Sequence, residues 1–425
     1  MIFCPPHGSS YEEARTKCTR QSVVNSLWRS VVRIRRVRAS GNQKPSICFV
    51  ALDNYAALVD DPVYGHIGGA EIQQTIIGKS LAKRGYRVSF ITLDHGQDPE
   101  IEIDAMRILK AYDPSVGIRI LRFLHPRCTR LWRAMREADA DIYYQRTQDS
   151  ITGIVAAFCR RYDKKFVFAV AHDYDCLSDA RYFPQRHARV LYHYGLRRAN
   201  LVVAQTMTQQ RLLRRNFGVD SALIPNCAPD YGASMCDVGT NRPARGSGVL
   251  WIGAFKSAKR LELLLDVAGQ LGGIPFDVVG DGDRESKYVQ GLRTRAEAMP
   301  NVRLHGNVPH EGVKQFYQQA AVLVCTSRAE GFPNIFIEAW AQGLPVVSTF
   351  DPDDLIARKN IGFVAPDVAG LVSGVRTLLG EPNLWRQISA AARKYYLENH
   401  TVDAVMPRYE RAFEEIMNQT QNVTV

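Results

Sequence analysis

The stretch from residue 327 to residue 347 reads SRAEGFPNIFIEAWAQGLPVV, and it decides the fold. It follows AAVLVCT at 320–326, a short apolar run that is typical of a buried parallel strand. Gly331 then favours a loop, and Pro333 suits the first turn of a helix, where its missing N–H costs nothing. Gly-Leu-Pro at 343–345 ends the helix and begins another strand. This order places the loop at the carboxyl end of a parallel strand, where open α/β sheets bind ligands.

Two glutamates, Glu330 in the loop and Glu338 in the helix, are the candidate binding groups of this stretch. Isolated glutamates are more often a capping acid or part of a solvated helix face, because charged residues are mostly exposed. The whole spelling, S-R-x-E-G-F-P-N-x-x-x-E-A-x-x-x-G-x-P-V, resembles the signature of the retaining nucleotide-sugar glycosyltransferases of family 4. The resemblance extends over about residues 45–417. It implies an α/β protein of the GT-B fold, in which two Rossmann-like, doubly wound parallel-sheet domains face a cleft.

The resemblance also implies roles for this loop and helix. Glu330 would lie beside the hydroxyls of the donor sugar, and Glu338 would bind the nucleotide ribose. Ionised carboxylates suit both tasks, because their two oxygens accept hydrogen bonds from vicinal hydroxyls. The backbone that faces the sugar and the phosphates would be that of Gly331, Phe332, Pro333 and Asn334.

Two segments of the first half of the chain extend the resemblance. Paired glycines, Gly68 and Gly69, lie between a predicted strand and a helix, where backbone N–H groups can approach a diphosphate. A lone Gly-Gly is more often an ordinary turn, so the resemblance carries this assignment. The strand at 165–171 ends in His172-Asp173, and the resemblance places His172 near the donor sugar and the acceptor. A lone histidine is more often structural, and His172 could bind, orient or move a proton.

The second predicted domain contains one match and one departure. The family pattern G-R-x-x-x-x-K supplies an arginine and a lysine that clamp the diphosphate. Lys259 matches the lysine of this pattern, and the alternative is that it belongs to a solvated helix start. Ala254 stands where the pattern has its arginine. A charge-assisted hydrogen bond contributes about 1.5–3 kcal/mol, so this departure predicts weaker donor binding unless Lys256 or Arg260 compensates.

The length of 425 residues predicts two α/β domains, because single cores stop growing at roughly 250–300 residues. We expect a basic amphipathic extension at 1–44, an acceptor domain at 45–235, a donor domain at 236–400 and a helix at 401–425 that crosses back to the first domain. A Gly- and Pro-rich linker at 228–248 joins the domains. A polar loop at 53–66 and the segment 94–127 are expected to contact the acceptor.

The net charge of +11 is concentrated at the amino terminus, where residues 1–44 contain nine Lys or Arg and two Glu, a net +7. Within 21–38, apolar residues recur at helical spacing among arginines. This pattern predicts docking on an anionic membrane surface, with a helix packed on the protein itself and a disordered tail as alternatives. No nucleic-acid-binding motif follows, so nucleic acid is not an expected partner.

The cysteines indicate a reducing compartment, and the hydropathy bears on membrane insertion. Nine cysteines are scattered without the C-x-x-C spacing of a zinc site. Neither a membrane span nor a signal peptide is recognisable, so we expect a cytoplasmic protein, with peripheral association on the inner face of the membrane if the basic segment docks there.

The predicted function is transfer of a sugar from a nucleotide-sugar donor to a sugar- or lipid-linked acceptor hydroxyl, with retention at the anomeric carbon, in cell-surface polysaccharide or glycolipid assembly. His172, Glu330 and Lys259 are the candidate catalytic residues, and no cofactor or metal is expected. Three D-x-D triplets, at 173–175, 281–283 and 351–353, leave a metal-dependent alternative open, although turns explain them more simply. A catalytically weakened nucleotide-sugar-binding homologue with a regulatory or scaffolding role, and a sugar-nucleotide epimerase, are the rival functions.

Overall fold

The structure is a computed structural model that describes residues 44–64, 67–117, 123–179, 185–230, 232 and 248–419. The amphipathic segment predicted at 21–38 lies outside the described residues, and so does most of the linker predicted at 228–248. Among the helices of the described part, none combines the length and apolar character that crossing a membrane requires.

The first domain is built on a sheet with the strand order β3-β4-β2-β1-β5-β6-β7-β8. Its strands are β1 (Ile47–Val50), β2 (Val88–Thr92), β3 (Glu100–Ile103), β4 (Met106–Lys110), β5 (Ile142–Arg146), β6 (Lys165–Ala169), β7 (Leu201–Ala204) and β8 (Ala222–Leu223). All neighbours pair in parallel except β3 and β4, which form an antiparallel hairpin at one edge. The helices of this domain are Tyr55–Val59, Gly69–Lys83, Thr129–Ala138, Ile151–Tyr162, Arg186–Leu196 and Met207–Phe217.

The second domain is built on a fully parallel sheet with the order β11-β10-β9-β12-β13-β14. Its strands are β9 (Val249–Ile252), β10 (Phe276–Val279), β11 (Val302–Gly306), β12 (Val322–Cys325), β13 (Val346–Ser348) and β14 (Gly362–Val364). The helices are Leu261–Gln270, Lys287–Glu297, His310–Gln319, Asn334–Ala341, Leu355–Lys359, Val368–Gly380 and Pro382–Asn399. The protein is therefore an α/β protein of two parallel-sheet domains, as the sequence predicts.

Each sheet is covered on both faces, which explains why its central strands read as continuous apolar runs. In β1 every residue is buried, and alternate side chains enter the cores on opposite faces of the first sheet. In the second sheet, Val322 and Val324 of β12 face one core while Leu323 and Cys325 face the other. Because crossover helices cover both faces, the carboxyl ends of the strands are left to form the cleft.

The helix Val402–Asn418 follows the second domain in the chain but packs on the first. Its apolar side Met406, Tyr409 and Phe413 is fully buried in one core of the first sheet. Lys44, at the start of the first domain, is paired with Glu410 of this helix at 2.9 Å. The chain end therefore ties the two domains together.

One expectation for the first domain was wrong, and one hairpin was not predicted. The segment 53–66 is not simply a polar loop, because Tyr55–Val59 is helical and buries Tyr55 and Leu58 in the core. Within 94–127, the β3–β4 hairpin was not predicted. Its edge strand reads Glu-Ile-Glu-Ile, and the isoleucines at 101 and 103 pack on the core while the glutamates face outward.

Candidate active site

Lys259 and Glu330 form an ion pair at the carboxyl edge of the second sheet, between the loop after β9 and the loop after β12. The Glu330 side chain is mostly buried, with 13% of its surface exposed, and that of Lys259 is 30% exposed. An ammonium group has three N–H donors, so Lys259 can bind Glu330 and a phosphate oxygen at the same time. The pair joins two residues that lie far apart in the sequence.

The two loops are fastened together at the end of β12. The Thr326 hydroxyl donates to the Lys259 carbonyl oxygen at 2.6 Å and accepts from the Trp251 indole N–H at 3.0 Å. The Arg328 backbone N–H donates to the Ala258 carbonyl oxygen at 2.9 Å. These bonds fix the backbone on both sides of the ion pair, so its geometry does not depend on the two side chains alone.

Arg260, one of the two candidates to compensate for the missing arginine at position 254, is bonded to its own domain. Its guanidinium donates to the Thr326 carbonyl oxygen at 2.7 Å and to the Thr349 hydroxyl at 2.8 Å, and thus supports the strand ends of its own domain. Lys256 is exposed at the surface of the same loop. Lys259 is therefore the cation that this loop places against Glu330.

His172 lies opposite, in a short helical turn after β6 in the first domain. Its Nδ1 accepts the Tyr174 backbone N–H at 3.2 Å, and its ring stacks on Tyr174 with centroids 4.1 Å apart. Because Nδ1 is an acceptor here, the neutral imidazole has its proton on Nε2. In this form His172 can donate a hydrogen bond through Nε2 but cannot accept a proton there.

Two aspartates that follow His172 hold this turn in place. The buried Asp175 carboxylate accepts the backbone N–H groups of Ala171 at 2.7 Å and His172 at 3.1 Å. Burial raises the pKa of Asp175, and it raises the pKa of Asp173 to about 6. The Gln209 side-chain amide donates to Asp173 at 3.0 Å. Sequence reasoning did not single out Asp175, whose anchoring role depends on burial that only the fold reveals.

Gly331 brings the two domains into contact. A Cβ atom at this position would lie 2.4 Å from the Ala171 carbonyl oxygen and 3.0 Å from the His172 Cα atom. Only a glycine allows the loop that contains Glu330 to approach the His172 turn this closely. Phe332 points the other way, into the core of the second domain, with its ring centroid 6.2 Å from that of Trp340.

A second cross-domain contact joins Asn334 to the paired glycines. The Asn334 side chain donates to the Gly69 carbonyl oxygen at 2.9 Å and accepts from the Asn226 amide at 2.9 Å. Asn226 in turn accepts from the buried Arg146 guanidinium at 2.8 Å. Gly68 and Gly69 start the helix Gly69–Lys83, whose N-terminus therefore meets that of the helix Asn334–Ala341. The first N–H groups of each helix lack partners within the helix and favour anions.

Glu338 lies one helical turn beyond this contact, on the helix Asn334–Ala341. The buried Tyr317 hydroxyl donates to Glu338 Oε2 at 2.7 Å, and proximity to this carboxylate adds to burial in raising the pKa of Tyr317. Both residues line a small cavity of about 30 Å³ with Ala228 and Pro229. Tyr317 was not among the predicted site residues, since an aromatic on an amphipathic helix looks like a core residue.

Glu71 is another residue that was not predicted to belong to the site. It lies in the first turn of the helix Gly69–Lys83, directly after the paired glycines. Desolvation raises the pKa of its carboxyl, and the neighbouring Asp53 adds to the increase while Arg146 opposes it. A perturbed carboxyl in a cleft is typical of functional sites. A sequence signal for Glu71 was present, because in Gly-Gly-Ala-Glu the acid follows the paired glycines that were expected to approach a diphosphate.

The carboxylates of the D-x-D triplets have protein partners. Asp281 is paired with Arg293 at 2.6 Å. Asp351 accepts the Ile356 backbone N–H at 2.8 Å. Asp353 accepts the Met207 backbone N–H at 2.7 Å. Hydrogen bonds or ion pairs within the protein thus engage these acids, as hydrogen bonds engage Asp173 and Asp175.

Two family models match the chain, one to each domain. The model described as Glycosyltransferase Family 4 matches residues 67–229, and the model described as Glycosyl transferases group 1 matches residues 246–381. The chain belongs to the group 1 glycosyltransferases. Together the matches cover more than half of its length, and they include both sides of the cleft.

Relatives of this glycosyltransferase include proteins of similar length. An uncharacterized glycosyltransferase of Haemophilus influenzae is 23% identical over 344 residues, 77% of this chain and 92% of the relative. The lipopolysaccharide core biosynthesis glycosyltransferase LpsE of Rhizobium meliloti is 32% identical over 171 residues, 39% of this chain and 49% of LpsE. The crystal structure of Anabaena HepE in complex with UDP and glucose aligns with a TM-score of 0.69 at 18% identity, over 87% of this chain and 99% of that one. The structural likeness shows the GT-B fold.

The glycosyltransferase cleft brings together most of the residues that the sequence predicts for it. Lys259 meets Glu330, Gly331 meets the His172 turn, and Asn334 meets Gly69. Glu338 lies apart from these contacts, next to Tyr317. The predicted residues therefore form two separate clusters, one around the Lys259–Glu330 pair and one around Glu338.

Proposed function

We propose that this glycosyltransferase moves a sugar from a nucleotide-sugar donor to an acceptor hydroxyl with retention at the anomeric carbon. The observation that carries the proposal is the Lys259–Glu330 pair, which lies at the strand ends of the second domain while its loop contacts the His172 turn of the first. A cation, a carboxylate and a histidine donor are thereby contributed to one cleft by the two domains.

The donor binds mainly to the second domain in this proposal. Lys259 and the N–H groups at the start of the helix Asn334–Ala341 stabilise the diphosphate, whose negative charge grows as it leaves. Glu330 binds hydroxyls of the sugar, and Glu338 binds the ribose. Tyr317 orients Glu338 for this task. The complex of HepE with UDP and glucose makes UDP-sugars the first donors to test.

The transfer step exchanges one bond for another on the same face of the sugar. The bond between the anomeric carbon and the phosphate oxygen breaks, and the acceptor oxygen bonds to that carbon. The acceptor proton passes to the leaving phosphate, so no protein nucleophile is needed. His172 binds a hydroxyl through Nε2–H, since its Nδ1 is already an acceptor. No step of this sequence requires a metal or a cofactor.

The acceptor is proposed to be sugar- or lipid-linked, in the assembly of a cell-surface polysaccharide or glycolipid. The similarity to LpsE, a lipopolysaccharide core biosynthesis enzyme, supports this assignment. The basic segment 21–38 would bring the enzyme to the cytoplasmic face of an anionic membrane. Flotation with anionic and neutral vesicles tests this: replacing the arginines at 29, 33 and 36 by Gln should abolish binding to anionic vesicles, and unchanged binding would contradict it.

Turnover with a panel of nucleotide-sugars in EDTA tests the transfer itself. The purified chain is incubated with UDP-, GDP-, ADP- and dTDP-sugars and candidate acceptors, and the anomeric configuration of the product is read by NMR. The proposal expects one donor class to react, with retention and without added metal. Inversion, or activity that EDTA abolishes, would contradict the proposed mechanism.

A weakened, donor-binding homologue is the second candidate, and Ala254 is the observation that favours it. Arg260 supports the strand ends of its own domain, so the diphosphate would be bound without the usual arginine. Ala254→Arg discriminates between the two functions. A rise in turnover of roughly tenfold or more, about 1.4 kcal/mol in the barrier, would show that the missing arginine limits activity. An unchanged, substantial turnover favours the full enzyme.

A further inference from the structure

Asp353 of the second domain binds the start of a helix in the first domain. It lies in a turn after β13, and one carboxylate oxygen accepts the Met207 backbone N–H at 2.7 Å. The other oxygen accepts the Thr208 backbone N–H at 2.9 Å and the Thr208 hydroxyl at 2.7 Å. Met207 is the first residue of the helix Met207–Phe217. A carboxylate of one domain thus caps a helix of the other.

The helix does not need Asp353 in order to be capped. Thr206 is its own N-cap, and the Thr206 hydroxyl accepts the Gln209 backbone N–H at 3.1 Å. Asp353 accepts hydrogen bonds from backbone N–H groups that Thr206 does not bind. These lie at the positive end of the helix dipole, where an anion is favoured. Its φ of 53° is in the left-handed region, which aspartate tolerates better than most residues. The contact therefore joins the two domains rather than completing the cap of the helix.

The capped helix also contacts both sides of the candidate active site. Gln209, in its first turn, donates to Asp173, the neighbour of His172, at 3.0 Å. A Cβ atom at Gly331 would lie 3.1 Å from the same Gln209 amide nitrogen. A shift of this helix relative to the second domain would therefore move the His172 turn away from the loop that contains Glu330.

We propose that Asp353 is a positioning residue for glycosyl transfer, which holds the cleft closed by capping the helix Met207–Phe217 across the domain boundary. Asp353 acts through the helix and Gln209 and does not touch the substrates. The proposal rests on the proposed function, because it assumes that the reacting groups come from both domains. It assigns a role to the acidic sequence Asp-Pro-Asp-Asp at 351–354, which the family resemblance leaves unexplained.

The same sequence supplies a matched control. Asp354 is adjacent, also has a left-handed φ of 58°, and is exposed. Asp353→Asn keeps the shape of the side chain but turns an amide N–H toward the backbone donors of Met207 and Thr208. Asp354→Asn makes the same chemical change without affecting the cross-domain contact. Thr208→Val removes one donor from the other side of the contact.

Hydrogen exchange and steady-state kinetics on the full chain test the proposal together. In Asp353→Asn, the amides of residues 207 and 208 should exchange at least about tenfold faster than in Asp354→Asn, since a cap contributes about one factor of ten in local stability. With the donor that the turnover panel identifies, kcat should fall roughly tenfold while the KM for the donor changes less than about twofold. Thr208→Val should produce a smaller change in the same direction.

Each other outcome overturns the proposal. Unchanged exchange at 207 and 208 would show that the contact is not populated in solution. Faster exchange with an unchanged kcat would show that Asp353 stabilises the helix start but does not position groups for transfer. A loss confined to donor KM would place Asp353 in donor binding instead. The exchange measurement needs no substrate, so it tests the cross-domain contact even if the wild type shows no turnover. Absence of turnover in the wild type would contradict the proposed function, whereas unchanged exchange would contradict the contact.

Discussion

At the residue scale, the central feature is the Lys259–Glu330 ion pair, because Ala254 occupies the position where the resemblance led us to expect an arginine. Lys259 binds Glu330, while the arginine position is Ala254 and Arg260 binds Thr326 and Thr349 instead. A charge in a partly buried site interacts more strongly than the same charge in bulk water. The site should therefore depend strongly on Lys259.

Substitution of Lys259 by Met should lower kcat by roughly a hundredfold to a thousandfold, the range found when one preorganised donor to a developing negative charge is removed. Lys256→Met is the matched control, since Lys256 is an exposed lysine of the same loop. Its kcat should stay within about twofold of the wild type. Equal losses in the two variants would show that the loop acts only through its overall charge.

Asp173 predicts a pH dependence of stability. Burial raises its pKa to about 6, so between pH 4 and 6 the folded state binds a proton that the unfolded state has released. Stability contributed by this group is therefore lost as the pH rises through that window. Asp173→Asn keeps the oxygen that accepts from Gln209 and should be more stable than the wild type at pH 7.5 but not at pH 4.

Urea unfolding at the two pH values measures this difference. Asp220→Asn is the control, because the Asp220 side chain is 85% exposed. It should be neutral at both pH values. A lower stability of Asp173→Asn at pH 7.5 would show that the ionised Asp173 carboxylate is favoured by its surroundings.

At the scale of elements, sequence periodicity predicts most of the strands and helices that build the cleft. The strand, loop, helix and strand around residues 320–348 form as expected, because apolar runs, Gly331 and Pro333 act locally. The cross-domain contacts of Asp353 and Asn226 were not predicted. Their partners lie more than a hundred residues away in the chain, and a local sequence pattern does not predict contacts between such distant residues.

Gly331→Ala should hold the cleft open. The new Cβ atom would lie 2.4 Å from the Ala171 carbonyl oxygen, a separation that the two loops can relieve only by moving apart. We expect kcat to fall at least about tenfold and the radius of gyration from small-angle scattering to increase. Gly291→Ala is the control, because its added Cβ meets no atom within 4 Å. An unchanged kcat in Gly331→Ala would show that this close approach is not needed for transfer.

At the scale of the whole molecule, the last described helix returns from the second domain to the first. Phe413 of the helix Val402–Asn418 is fully buried in the core beneath the first sheet. Phe413→Ala should destabilise that domain by about 3–5 kcal/mol, the range for deleting a buried aromatic ring. Glu414→Ala, at the exposed neighbouring position, should change stability by less than about 0.5 kcal/mol. Equal stability of the two variants in urea unfolding would contradict this packing.

The glycosyltransferase family was readable from the sequence because its signature is long and contiguous. The extra acids of the cleft were not, since Asp175 and Glu71 gain their roles from burial in the folded protein. In the first domain, the helix Tyr55–Val59 and the β3–β4 hairpin were missed. Sequence periodicity is weak in such short elements, and tertiary packing decides them.

Nucleotide-sugar binding at Glu338 tests the account most directly. Thermal unfolding is followed in EDTA with UDP-, GDP-, ADP- and dTDP-sugars, for the wild type and for Glu338→Gln, which retains an oxygen for the Tyr317 hydroxyl. A ligand at a hundred times its Kd stabilises the folded state by about 2.7 kcal/mol, so one donor class should raise the Tm of the wild type. The account predicts that Glu338→Gln loses most of this shift. No shift with any donor, or an equal shift in both proteins, would contradict it.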